Sequence, residues 1–363
     1  MNHYDSCKAF SFNKIMIDVT TRCNLDCPVC YRAKDSRGDL SFQLLENLSH
    51  KYRGKIISLC GGEPTMREDL PEIIRLFSKR NTVFLITNGI RLADRGYLKT
   101  LKKSGLRYIS FSFNALSDEI YNKINGGSLL DLKLKALGNI KTAGIRTILS
   151  VLIAKGLNEN QISGILKYCL DNRDFIRELR IRTMVPISKY LSMEKYTVAD
   201  LLDVVCKEAR VSKEDVLREL ELKKRVNNLF GKEIFIQRTC SFDFHLKRKG
   251  DAYTSVGKDI RFGYAGKNKI SGVFLLFKLL KAYGLRMSAA GFLKNNLGCE
   301  KTPWIHNSDI FKVGLRSWPT GDDIDMEENK KCQTGYYMDG KVFPFCYANI
   351  LKNGNNDKIL QEN

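Results

Sequence analysis

Within its first half, this 363-residue chain alternates six short β-branched or aromatic runs with five longer amphipathic stretches. The runs read as strands at Lys14–Val19, Ile56–Leu59, Val83–Ile86, Tyr108–Phe113, Thr147–Ile153 and Glu178–Arg182. The stretches read as helices at Phe42–Tyr52, Leu70–Lys79, Leu92–Lys103, Leu132–Ala143 and Glu159–Leu170. Gly54, Gly105, Gly144 and Gly156 fall in the turns, where chain reversal needs them. Strands that alternate with helices pair in parallel, because each crossover returns the chain to the same end of the sheet. A closed eight-unit barrel needs about 250 residues, and six units predict an open one. The expected fold class is therefore α/β, a partial (β/α)6 TIM-type barrel.

The rhythm stops after Pro186. Met193–Arg210 and Lys213–Phe230 read as helices, the second capped by Ser212, and Ile234–Ile236 as a short strand. Asp339-Gly340 marks a hairpin. The expected organisation is a barrel over 1–190, a helical connector over 191–231 and a basic C-terminal domain over 232–363. No run reaches the ~18 apolar residues that span a bilayer. The most apolar stretch, Val273–Leu280, is interrupted by Lys278.

Eleven cysteines are too dilute for a small disulfide scaffold, and MNHYDSCKAFSFNK lacks the apolar segment of a signal peptide. Both features point to a cytoplasmic chain that commits some thiols to metal. Cys23, Cys27 and Cys30 form a C-x3-C-x2-C group directly after the first strand. Thiolates bind zinc and iron–sulfur clusters alike. The spacing alone leaves open a cluster, a structural zinc site and scattered buried thiols. Gly61-Gly62-Glu63-Pro64 follows the second strand. Glycines admit a close backbone approach, and a carboxylate can accept from an ammonium group. In barrels of this kind, loops after strand ends carry the chemistry.

CNLDCPVC and GGEP together resemble the radical S-adenosylmethionine (radical SAM) superfamily over roughly residues 14–186. Thr87-Asn88-Gly89 looks like the third-strand motif and Ser112-Phe113-Asn114 like the ribose-contacting end of the fourth strand. Ala154–Asn158 resembles the fifth-strand exit of cofactor-biosynthesis members, and Arg182 lies on the sixth strand, where polar cofactor contacts occur. Val29 stands where the family often has an aromatic residue. The resemblance implies that Cys23, Cys27 and Cys30 hold a [4Fe–4S] cluster whose fourth iron is chelated by S-adenosylmethionine. It implies that Gly61, Gly62, Glu63 and Pro64 orient the methionyl ammonium, and that Thr87, Asn88, Ser112 and Asn114 hold the nucleoside. The implied chemistry is reductive cleavage to a 5′-deoxyadenosyl radical that abstracts hydrogen from an unactivated carbon. An external electron donor of flavodoxin or ferredoxin type is implied with it.

Cys332 and Cys346 lie on the arms of the expected hairpin, an arrangement similar to the auxiliary-cluster segment of several radical SAM subgroups. A C-terminal auxiliary iron–sulfur cluster is therefore expected, with Cys299 and Cys240 as the candidates for its remaining ligands. The alternatives are a zinc site and a pair of buried thiols. The molybdenum-cofactor GTP cyclase of this superfamily has a further cysteine where this chain has Asn329, and a Gly-Gly tail where it has Gln361-Glu362-Asn363. The segment Asn329–Ile350 is instead similar to the tail of the tetraether lipid synthase group, which forms carbon–carbon bonds between lipid chains. Cys60, Cys7, Cys169 and Cys206 read as packed thiols.

The formal charge is +20, and residues 232–301 carry 14 Lys and Arg against 5 Asp and Glu. Basic residues beside apolar ones suit an anionic amphipathic partner such as a phospholipid, with peripheral contact to an anionic membrane. They equally suit a phosphate backbone or a solvated surface. Four functions are compatible with these features. They are radical chemistry on a lipid, isoprenoid or small molecule, on a peptide or protein, or on tRNA, and a noncatalytic metal scaffold. The presence of both motifs disfavours the scaffold, and no RNA-binding module is visible. The 13 residues before the first strand hold no leader-binding domain. Lipid or small-molecule chemistry is the expectation.

Overall fold

The computed structural model describes residues 12–30, 38–184, 196–231, 235, 240–249, 252–260, 269–282, 310–318 and 324–352. In chain order the elements begin β1 (Lys14–Thr20), α1 (Phe42–Lys51), β2 (Ile56–Gly61), α2 (Leu70–Ser78), β3 (Thr82–Thr87) and α3 (Arg95–Lys103). They continue with β4 (Tyr108–Ser112), α4 (Asp118–Asn125), α5 (Leu130–Ala143), β5 (Arg146–Ile153), α6 (Gln161–Asp171) and β6 (Ile176–Thr183). Then come α7 (Val198–Ala209), α8 (Lys213–Phe230), β7 (Ser241–Lys249), β8 (Ala252–Ser255), α9 (Lys269–Ala282) and β9 (Ile310–Arg316). The chain closes with α10 (Met326–Lys330), β10 (Thr334–Met338), β11 (Lys341–Pro344) and α11 (Phe345–Lys352). The fold is a mostly parallel α/β arrangement, as the strand–helix alternation predicts. It divides into two compact units.

The first unit contains residues 1–158, 184–195 and 318–363. Its strands run β11-β10-β1-β2-β3-β4-β5, parallel from β10 to β5. Ile15, Ile17 and Val19 of β1, Ile57 and Leu59 of β2, and Val83 and Leu85 of β3 are buried, and so are the intervening Met16, Ser58, Cys60 and Phe84, as in a parallel sheet covered on both faces. Local chemistry sets the helix starts. Ser41 Oγ accepts from Leu44 N and Asp94 Oδ1 from Gly96 N and Tyr97 N, each satisfying orphan donors of a first turn. The Asp94 cap divides the single helix expected over Leu92–Lys103 into a 3-10 turn, Ile90–Ala93, and α3. Helix α4 has no counterpart among the predicted elements. Its Ile120, Tyr121 and Ile124 form a core with Ala115 and Leu129, against which Leu25, Val29 and Leu157 pack.

The C-terminal hairpin turns at Asp339 and Gly340, both at positive φ, as the Asp-Gly pair predicts. Its first strand, β10, joins the edge of β1 with Lys14 opposite Thr334. Inside this edge, Met16, Cys60, Tyr336 and Ala348 form a second core. Asp18 there accepts from the Tyr336 hydroxyl, from Lys352 Nζ at 3.1 Å and from the Cys60 thiol at 3.3 Å.

The second unit contains residues 159–183 and 196–317, with strand order β6-β9-β7-β8. Helix α8 matches its expected bounds, with Ser212 Oγ accepting from Asp215 N. It lies along β7 and serves its outward backbone groups as a neighbouring strand would. Glu219 Oε2 accepts from His245 N at 3.0 Å, and Lys223 Nζ donates to Asp243 O at 3.0 Å. On one face of β6, β9 and β7, Glu178, Arg180, Lys312, Asp243 and Arg316 form a continuous ion network. Among the described residues no helix is long and apolar enough to cross a membrane.

Candidate cluster and nucleoside site

The segment between β1 and Cys23 is clamped before any thiol is reached. Arg22 forms a two-pronged pair with Asp39, whose Oδ1 also accepts from the Thr20 hydroxyl. Gly62 N donates to Thr20 O at 2.9 Å and Glu63 N to Arg22 O at 2.8 Å. The glycines make this contact possible. A Cβ on Gly61, at φ +135°, would stand 2.1 Å from Thr20 O, and one on Gly62 would stand 2.2 Å from Arg22 O. The close approach expected of these glycines is thus made to the chain's own cysteine loop. Pro64 opens a 3-10 turn, Pro64–Met66, where its missing N–H costs nothing.

Glu63 is buried, at 1% exposure. Its Oε1 accepts from Thr65 N at 3.1 Å, Thr65 Oγ1 at 2.7 Å and Thr87 Oγ1 at 2.7 Å. Its Oε2 accepts from Asn88 N at 2.7 Å. Burial pushes the Glu63 carboxyl above its ordinary range, and the donors of Asn88, Thr87 and Thr65 oppose that push. Oε1 thus takes three donors and Oε2 one, which leaves Oε2 the less occupied of the two oxygens. A buried carboxylate of this kind gains from a cationic partner.

Asn88 ties three elements together. Its N–H goes to Glu63, and its side-chain amide donates to Asn24 Oδ1 in the cysteine loop at 2.8 Å. A second amide chain reaches the loop from the other side. Asn158 Nδ2 donates to Asn114 O at 3.0 Å, Asn114 Nδ2 to Asn125 Oδ1 at 3.2 Å, and Asn125 Nδ2 to Cys27 Sγ at 3.2 Å. Asn114 Oδ1 also accepts from Leu152 N. Thr87 and Asn114 are buried and Ser112 half-buried, all at the carboxyl ends of β3 and β4.

Within the loop, Cys30 N donates to Cys27 O at 3.0 Å and Leu25 N to Cys23 Sγ at 3.4 Å. Partial burial raises the Cys23 and Cys27 thiols, and the neighbouring thiols add to the rise. Among the described residues no three Cys, His, Asp or Glu side chains are gathered at metal-ligating distance. The loop therefore presents three soft donors in one stretch without closing them on a point. By donor chemistry that set suits an iron–sulfur cluster.

The other candidates lie elsewhere. Arg182 is on β6 of the second unit, and Cys240 directly precedes β7 there. Cys299 lies outside the described residues. Cys332 and Cys346 sit at one end of the β10–β11 hairpin, where Gly335 is registered with Pro344. Through the pairing of Thr334 with Lys14, that end is the amino-terminal end of β1, whereas Cys23 follows its carboxyl end. Two site residues escaped the sequence reading. Asn125 ends the unpredicted α4. Lys133 of α5 is fully buried, on the same helical stripe as the buried Ala136, Leu137 and Ile140, and that spacing was the available signal.

A parallel sheet thus carries three loop thiols after its first strand and a buried carboxylate after its second, donor types suited to a cluster and to a small cationic ligand. Residues 17–169 match the model of the radical SAM superfamily, a superfamily of enzymes. Such domains work with a [4Fe–4S] cluster and S-adenosylmethionine. The chain is 35% identical over 207 residues to 7,8-dihydro-6-hydroxymethylpterin dimethyltransferase of Methanocaldococcus jannaschii, covering 52% of this chain and 40% of that protein. It is 27% identical over 244 residues to GTP 3',8-cyclase of Peptoclostridium acidaminophilum, covering 63% of this chain and 74% of that protein. Against Streptococcus suis SuiB bound to precursor peptide SuiA, the TM-score is 0.47 at 21% identity, over 53% of this chain and 45% of that one.

Proposed function

We propose that this chain cleaves S-adenosylmethionine reductively and directs the product at an unactivated carbon of an amphipathic, anionic substrate such as a lipid or isoprenoid chain. One observation carries the cofactor assignment: the buried Glu63 carboxylate, held by Thr65, Thr87 and Asn88, with a single donor on Oε2 against three on Oε1. When bound, the cluster and S-adenosylmethionine supply one-electron chemistry that yields a 5′-deoxyadenosyl radical. The chain's own residues bind and orient. Cys23, Cys27 and Cys30 hold the cluster, Glu63 takes the methionyl ammonium, and Thr87, Asn88, Ser112 and Asn114 hold the nucleoside. The electron comes from a flavodoxin- or ferredoxin-type donor, in keeping with a cytoplasmic location. Cys332 and Cys346 belong to an auxiliary iron–sulfur site completed from elsewhere in the chain.

The lipid reading is supported by α9. Leu275, Leu276 and Leu279 of this helix are buried against Leu222 and Val226 of α8, while Val273, Phe274 and Phe277 are exposed. Lys278 Nζ lies 5.0 Å from the Phe274 ring centroid. Exposed aromatic residues beside lysines suit an anionic lipid surface. A second reading, a small heterocycle of pterin type, is favoured by the similarity to the dimethyltransferase. The deciding experiment adds anionic phospholipid vesicles, neutral vesicles or a reduced pterin to the anaerobically reconstituted protein and follows S-adenosylmethionine consumption. Stimulation by anionic vesicles alone supports the lipid reading. Stimulation by the pterin alone overturns it, as does indifference to all three.

A further inference from the structure

Lys133, beside the proposed nucleoside site, is fully buried, at 0% exposure. Its Nζ donates to Asn88 O at 2.9 Å and to Ser112 O at 2.7 Å. It stands 5.4 Å from the ring centroids of both Phe111 and Tyr121. Among the described residues no carboxylate lies within ion-pair distance of it. The location is electrostatically costly. Lys133 is in the first turn of α5, at the positive end of the helix dipole, and burial lowers its ammonium to about 8. A buried cation without an ion-pair partner persists only where the surroundings hold it in place.

The two carbonyls explain what it holds. Thr87 and Phe111 are the last registered pair of β3 and β4. Asn88 and Ser112 are the next residues along, where the ladder has stopped. The Lys133 ammonium bridges their carbonyls and so continues the cross-strand connection for one more step. Gly89 belongs to the same arrangement. At φ +81°, a Cβ there would stand 2.0 Å from the Phe111 ring that flanks Lys133. Asn88, held through its carbonyl by Lys133, is held through its N–H by Glu63 and through its side chain by Asn24.

We infer that Lys133 is a positioning residue for the nucleoside end of the S-adenosylmethionine site, fixing the strand ends that carry Thr87, Asn88, Ser112 and Asn114. The inference rests on the reading of this unit as an S-adenosylmethionine site. It assigns Lys133 no contact with the reacting atoms.

The test uses the full chain, reconstituted anaerobically, as wild type and as Lys133→Met. Equilibrium binding is measured for S-adenosylmethionine and for 5′-methylthioadenosine, which shares the nucleoside and lacks the amino-acid end. The variant is expected to lose about tenfold in affinity for both compounds, the effect of one or two mispositioned hydrogen bonds. KM for S-adenosylmethionine should rise with kcat changed by no more than about twofold, the pattern of lost uniform binding. Equal affinity of variant and wild type for both compounds overturns the inference, even if the melting temperature falls, since a merely structural lysine would move only the latter. Loss confined to S-adenosylmethionine overturns it too, because the effect would then lie at the amino-acid end. Should Lys133→Met not fold, Lys133→Gln decides: weaker binding of both compounds is expected, and unchanged binding contradicts. Wild-type protein that binds neither compound refutes the reading of the site itself.

Discussion

The side-chain amide of Asn125 donates to the Cys27 sulfur at 3.2 Å, and its carbonyl oxygen accepts from Asn114. A helix terminus and a strand end thus meet at one thiol of the cysteine loop. The contact favours the thiolate, because an N–H directed at sulfur stabilises the charged form. Asn125→Ala should leave the fold intact and raise the Cys27 thiol. Thiol labelling of the cluster-free protein across pH checks this, and an unchanged labelling profile at Cys27 would contradict it.

Gly62→Ala should be more damaging than its size suggests. The added methyl meets Arg22 O and Thr21 O, backbone atoms that cannot yield without moving the loop that bears Cys23. Overpacking of this kind costs about 1–3 kcal/mol. The expected result is a lower melting temperature together with reduced iron retention after reconstitution. A variant that keeps wild-type iron content would show that the loop is not clamped at this point.

Stability should fall on the acid side. In the second unit, Lys223 and His245 hold the Glu219 carboxyl down to about 2, and Arg180 and Lys312 hold Glu178 down to about 2, both against the cost of burial. The folded state thus binds these protons more weakly than the unfolded chain. The stabilisation is complete above the ordinary carboxylate pKa, about 4.3, and is lost as pH falls from there toward about 2. Burial also lowers His245, whose contribution is complete above its ordinary value of about 6.5 and declines below it. Thermal melts between pH 7 and pH 3 should show a shallow decline followed by a steep one. The steep part should be smaller in Glu219→Gln, and an identical acid limb in that variant would contradict the assignment.

The β/α alternation located β1 to β6 because apolar periodicity is a local property. The two loop motifs were legible for the same reason: short fixed spacings after strand ends. What the periodicity could not supply was non-local. The pairing of Thr334 with Lys14 joins residues from opposite ends of the chain, and no local pattern encodes that partner. Helix α4 is only eight residues long and follows its strand closely, so its apolar stripe of Ile120, Tyr121 and Ile124 is too short to stand out. Lys133 lies on the apolar stripe of α5, but only the carbonyls of Asn88 and Ser112 around its ammonium show what it binds.

That same pairing bears on the auxiliary cluster. Cys332 and Cys346 lie toward the amino-terminal end of β1, and Cys23 beyond its carboxyl end. The two cluster sites should therefore load independently. Iron analysis should give about eight irons per chain if both hold [4Fe–4S] clusters, and about four in Cys332→Ala. About four irons in the wild type, unchanged by Cys332→Ala, would remove the auxiliary site.

The central claim is that the Cys23–Cys30 loop and Glu63 together form a working S-adenosylmethionine site. Its most direct test is the anaerobic incubation of the reconstituted protein with a strong one-electron reductant and S-adenosylmethionine, followed by quantification of 5′-deoxyadenosine. The account predicts 5′-deoxyadenosine and methionine in equal amounts from the wild type, none above background from Cys27→Ala, and a sharp loss in Glu63→Gln. Iron-loaded wild-type protein that yields no more 5′-deoxyadenosine than Cys27→Ala would contradict it.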